Sequence, residues 1–118
     1  MDNIIKISLL LDFYGQFLTP RQYEIMDLHY NNDYTLSEIA EQFNITRQGV
    51  YDNIKRGKTL LDQYEKKLGL IKKFIEQKEK AREVLECISG INKDLMPDND
   101  KIKLECAEEK LLNLINEF

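Results

Sequence analysis

The stretch TLSEIAEQFNITRQGVYDNIKRGK, Thr35 to Lys58, carries two helix starts in close succession. Thr35 is a candidate N-cap, and Glu38 three residues on completes a capping box. Tyr34 before the cap and Ile39 after it are placed for a hydrophobic staple. Ile39, Ala40 and Phe43 fall on one helical face, and the small Ala40 lets a second helix cross closely there. Asn44 stands where the chain must turn, and asparagine tolerates positive φ better than most residues. Thr46 is the second N-cap candidate, with Ile45 and Val50 placed for a second staple. Val50 and Ile54 form the inner stripe of the helix that follows. Arg47, Gln48, Tyr51, Asp52, Lys55, Arg56 and Lys58 are left on its outer side or at its edges.

This is the logic of a helix-turn-helix, in which a short first helix props a second so that its N-terminal turns can enter the DNA major groove. A plain helical hairpin needs neither two caps in register nor a small residue at the crossing. Arg47 and Gln48 occupy the first turn of the second helix, and both types read base edges, Arg at guanine and Gln at adenine. Tyr51 and Lys55 continue that face. Thr46 and the amides around it suit a phosphate, and Arg56 and Lys58 suit the nucleic-acid backbone. The expected partner is duplex DNA.

Before the motif, residues 2–17 read as a helix, with Ile4, Ile5, Leu9, Phe13 and Phe17 on a broad face and Leu10 and Leu11 beside it. Leu18-Thr19-Pro20-Arg21-Gln22 is a second helix start: Thr19 caps, Pro20 takes the first position and Gln22 closes a box. Tyr23, Met26 and Tyr30 give that helix a core face, with Ile25 and Leu28 alongside, and Asn31-Asn32-Asp33 ends it. After Lys58 the helical pattern runs on. Leu61, Tyr64, Leu68, Ile71 and Ile75 step by threes and fours, with Gly57 a weak point and Gly69 a bend or cap. Phe74, Ala81, Leu85 and Ile88 continue an apolar face, and Met96-Pro97-Asp98 breaks it. A last helix shows Leu104, Ala107, Leu111, Leu114 and Phe118. Such stripes cannot be buried by isolated helices. The expected organisation is all-α: a helix-turn-helix domain over residues 1–60 and a helical extension over 61–118, whose stripes either fold back on the first domain or pair two copies into a homodimer, the pairing being the expected outcome.

Composition bounds the function. The hydrophobic set is 42% and charged residues 32%, which suits a folded domain with a polar surface. No apolar run approaches transmembrane length, so no membrane partner is expected. The opening MDNIIKISLLLDFY makes a poor signal peptide, and the expected location is the cytoplasm. Cys87 and Cys106 form no CxxC or CxxH pattern, and His29 is the single histidine, so neither a metal nor a cofactor is expected. No nucleophile–base pair or phosphate loop points to an enzyme. The net charge of −4 does not suit a general nucleic-acid coat, yet Thr46 to Lys58 carries Arg47, Lys55, Arg56 and Lys58 against Asp52 alone.

Thr35, Leu36, Glu38, Ile39, Ala40, Phe43, Ile45, Thr46 and Arg47 together resemble the last DNA-binding region of bacterial sigma factors, and Leu18–Gln22 resembles the start of that region. A longer resemblance joins LLDFYGQFLTPRQ (from Leu10), LSEIAEQFNITRQGVYDNIKR (from Leu36) and LLDQYEKKLGL (from Leu60). Over roughly Leu10 to Phe74 these are similar to the YlxM family, small bacterial helix-turn-helix proteins encoded beside signal recognition particle genes. That resemblance implies a DNA-binding regulatory protein linked to the signal recognition particle pathway. Gly49 and Asp52 depart from the sigma pattern, because glycine weakens a helix and aspartate repels phosphate. They leave open a second reading, an interaction module acting on signal recognition particle protein or RNA without sequence-specific DNA binding.

Overall fold

The computed structural model describes residues 3–116. It contains six α-helices: α1 (Asn3–Tyr14), α2 (Pro20–Asn31), α3 (Leu36–Phe43), α4 (Arg47–Leu68), α5 (Leu70–Ser89) and α6 (Asp98–Asn116), with a 3₁₀ turn at Gly15–Phe17. No strand occurs among the described residues, so the chain is all-α as expected. It divides into two compact units, residues 1–71 and 72–118.

The first unit is built on α4. Helices α1, α2 and α3 all pack against it, and its buried residues Val50, Ile54, Gly57 and Leu61 recur at helical spacing along one side. The core adds Ile7, Leu10, Leu11, Tyr14, Leu18, Ile25, Met26, Ile39, Ala40 and Ile71. Each fully buried aliphatic side chain of this kind contributes on the order of 1.5–3 kcal/mol.

Three helix starts take the form their sequences predict. The Thr19 hydroxyl accepts the Gln22 amide while the Gln22 side chain accepts the Thr19 amide, with Pro20 in the first turn. Thr35 and Glu38 make the same reciprocal pair. The Thr46 hydroxyl accepts the Gly49 amide at 2.9 Å. Each cap stabilises its helix by about 1 kcal/mol. Between α3 and α4, Asn44 adopts the left-handed conformation (φ 54, ψ 47), and the Ile45 amide reaches back to the Ala40 carbonyl at 3.0 Å. This helix end is of the Schellman kind, made here with asparagine in place of glycine.

The register of α1 differs from the expected face. Ile7, Leu10, Leu11 and Tyr14 are buried, whereas Ile4 and Ile5 are more than half exposed and Phe17 is nearly so. The helix is apolar almost all round, so spacing alone did not choose a side. It ends at Tyr14 rather than Phe17, and Asp2, read as its start, lies outside the described residues. On α2, Ile25 and Met26 are fully buried while Tyr23 is exposed, its ring covering the backbone of Gly15.

The seam read from Leu61 to Ile75 is interrupted. Gly69 takes the left-handed conformation (φ 62) and ends α4, its amide bonding the Glu65 carbonyl at 2.7 Å. Leu61 and Ile71 join the core of the first unit, whereas Leu68 and Ile75 stay exposed. At this joint the Tyr14 hydroxyl donates to Glu65 Oε1 at 2.6 Å and accepts the Leu70 amide at 3.1 Å. The Ile71 amide donates to the same Glu65 oxygen at 3.0 Å. Two first-turn amides of α5, which have no intrahelical partner, are thereby satisfied. Burial first, and then the bond to Glu65, pushes the Tyr14 phenol above its ordinary pKa.

In the second unit Ala81 and Ile115 are buried, and Lys93 pairs with Glu108. Asp98 and Asp100 occupy the first turn of α6, where the helix dipole favours them. Leu104, Ala107 and Leu111 are half-buried as their spacing suggests, but the next inward residue is Ile115, and Leu114 is exposed. A three-residue step to 114 and a four-residue step to 115 both suit a helix, so the pattern did not separate them. Phe118, read as the end of that stripe, lies outside the described residues.

Candidate nucleic-acid interface

Helix α4 presents the candidate residues because its opposite side is consumed by the core. Val50 and Ile54 are buried in the same core as Ile39 and Ala40 of α3, which packs against α4, and this burial fixes the rotation of α4 about its axis. Arg47, Gln48, Tyr51, Lys55 and Arg56 are exposed in consequence, and Asp52 and Lys58 are half-buried. Arg21, on α2, donates to the Phe43 carbonyl at 3.3 Å and lies 5.6 Å over the Phe43 ring, which ties down the end of α3. His29 secures the α2–α3 connection: its Nδ1 lies 2.8 Å from the Tyr34 carbonyl, which can only accept, so Nδ1 carries the hydrogen.

Four of the seven candidates line two grooves beside α4. Tyr51, Lys55 and Lys58 line a shallow groove against His29, Tyr30 and Leu36. Lys55 and Arg56 line a second groove with Gln22, Thr59 and Gln63. Lys55 belongs to both, so Arg56 and Lys58 flank α4 on opposite sides. Arg47 and Gln48 sit at the exposed N-terminal turn, where α4 has no acidic residue. Thr46 uses one of its two oxygen lone pairs on the Gly49 amide, and its hydroxyl proton is still able to donate.

Two details were not read from the sequence. The Lys58 ammonium lies 5.9 Å above the Tyr30 ring, so part of its attraction is spent inside the protein. Asp52 is not an isolated repulsive charge: it accepts a hydrogen bond from Gln48 Nε2 at 3.1 Å. The i,i+4 spacing of the two residues was the available signal. Around this face the first unit is not basic: residues 1–71 hold eight Lys and Arg against ten Asp and Glu. Attraction to a polyanion is therefore local to α4 and not a property of the whole surface.

A capped α3, a left-handed turn and a long α4 with an exposed polar N-terminal face define a helix-turn-helix protein. The family profile described as "Putative helix-turn-helix protein, YlxM / p13 like" matches residues 1–103, and the chain belongs to this family. A UPF0122 protein of Acetivibrio thermocellus is 53% identical over 115 residues, covering 98% of each chain. UPF0122 protein YlxM of Bacillus subtilis is 46% identical over 90 residues, 76% of this chain and 82% of its own. UPF0122 protein TTE1463 of Caldanaerobacter subterraneus is 49% identical over 87 residues, 74% of each chain. Among the described residues, no helix is long and apolar enough to cross a membrane.

Proposed function

We propose that this protein is a regulatory DNA-binding protein that lays the first turns of α4 in the major groove of duplex DNA. The observation that carries the reading is the orientation of α4: Val50 and Ile54 are buried in the core, and Arg47, Gln48, Tyr51 and Lys55 are left outward. These are the residue types that contact base edges, presented at the end of the helix that enters the groove. Arg56 and Lys58, on opposite flanks of α4, are placed for phosphates on either side of it. The regulation is tied to the signal recognition particle pathway, as the family resemblance implies.

A second reading keeps the scaffold and changes the partner. The acidic balance of residues 1–71 and the negative charge of Asp52 on the outer side of α4 favour an interaction module acting on signal recognition particle protein or RNA. Titration against a pool of random duplexes at two salt concentrations separates the two. A DNA regulator enriches a sequence and binds it more tightly than bulk duplex. Binding that selects no sequence and is no tighter than to bulk duplex at low salt overturns the first reading, and the same surface is then titrated with signal recognition particle RNA and protein.

A further inference from the structure

We infer that Asp52 is a specificity-determining residue, which orients the Gln48 amide and with it selects a base carrying an exocyclic amino group, cytosine or adenine. The inference rests on the duplex-reading proposal above. Its basis is the 3.1 Å bond from Gln48 Nε2 to Asp52 Oδ1, one helical turn apart on the outward side of α4. A carboxylate only accepts, so the amide must turn its nitrogen towards Asp52 and its carbonyl away. Gln48 thus keeps Oε1 as an outward acceptor and one N–H, and Asp52 keeps its second oxygen. A surface dominated by acceptors matches the major-groove donors, cytosine N4 and adenine N6. It mismatches guanine, which offers only N7 and O6 acceptors in that groove, and thymine O4. An unbonded glutamine has no such bias, because its amide can turn either way.

The backbone gives a second reason. The Arg56 side chain folds back to donate from Nε to the Asp52 carbonyl oxygen at 3.3 Å, a bond to the backbone and not to the carboxylate. Asp52 is repelled by phosphate wherever α4 docks, and base edges are the part of the groove that its carboxylate can face favourably. Two effects of opposite sign follow for Asp52→Asn. Removing the charge strengthens attachment to any duplex. Removing the fixed acceptor weakens discrimination between bases.

The test measures base preference at every position of a selected duplex for wild type, Asp52→Asn, Gln48→Ala and the double variant, with thermal melts to confirm folding. Wild type is expected to favour cytosine or adenine about tenfold at one position. Asp52→Asn is expected to lose most of that preference while binding bulk duplex more tightly. In Gln48→Ala the same substitution should remove little further preference, because the two side chains act as a unit. If wild type selects a sequence and Asp52→Asn keeps the same base preference, the inference is wrong and the duplex-reading proposal stands. Independent, additive effects of the two substitutions on preference overturn it equally. If wild type selects no sequence, the duplex-reading proposal fails and this inference falls with it.

Discussion

Gly57 shows what a single residue contributes that its neighbours in sequence do not reveal. In a helical pattern a glycine is a local penalty of about 1 kcal/mol relative to alanine. Here it is buried in the middle of α4, and a Cβ added to it would overlap the sulfur of the fully buried Met26. The glycine lets α2 approach α4. Gly57→Ala is therefore expected to destabilise by about 1–3 kcal/mol through overpacking, in spite of better helix propensity. Adding Met26→Val should restore part of the loss in a thermal melt. A rise in melting temperature for Gly57→Ala alone would show that the approach is not limiting. Tyr14 makes a comparable case. Tyr14→Phe removes the donor to Glu65 and the acceptor of the Leu70 amide, and is expected to cost about 1–3 kcal/mol. Because the phenol's pKa is raised in the folded chain, its stabilisation is complete below the ordinary tyrosine value of about 10 and is lost as pH rises through the folded value. Denaturant titrations from pH 8 to 11 should show stability falling at the alkaline end in wild type and less steeply in Tyr14→Phe.

Elements were legible in proportion to how local their signals are. Thr19 with Gln22, Thr35 with Glu38, and Thr46 each act within one turn, and all three caps stand where the sequence places them. Asn44 likewise declares its turn locally, and Ala40 is buried where a small residue was expected. The Tyr14–Glu65 bond joins residues 51 positions apart, so no window of sequence contains it. The inward face of α1 was illegible for a different reason, since its apolar residues, Ile5 and Leu9 as well as Ile7 and Leu11, lie on more than one side of the helix. The crossing of α3 and α4 makes its own prediction. Ala40→Leu should force the helices apart and cost about 1–3 kcal/mol, and an unchanged melt would mean that they do not cross at that residue. The face of α4 makes another. Arg47→Ala should cost about 1–3 kcal/mol of binding and relax preference at one base position. Lys58→Ala should weaken all duplexes alike and lower the salt slope by about one unit. The Tyr30 ring under the Lys58 ammonium makes the Lys58 effect the smaller of the two. Equal losses of sequence preference in both variants would contradict this division of roles.

At the scale of the whole chain, the second unit raises the question of what completes it. It spans residues 72–118, and Ala81 and Ile115 are its buried hydrophobic residues among those described. Val84, Ile91, Leu95, Ile102, Leu112 and Leu114 are each at least 46% exposed. A unit of this size rarely holds itself together on so small a core, and association is one of the usual remedies. Leu114 exposed beside a buried Ile115 gives α6 two apolar edges, one buried and one left exposed among the described residues. Helix-turn-helix proteins commonly read DNA as pairs, with half-sites about 34–36 Å apart. Self-association through α5 and α6 would meet both needs, so a dimer is expected at micromolar concentration by light scattering. Leu112→Glu with Leu114→Glu should shift the mass to a monomer while the melt of the 1–71 core is retained. It should also abolish any preference for paired half-sites and leave single-site contacts of α4 intact. A monomer mass for the wild-type chain across that concentration range would refute the dimer.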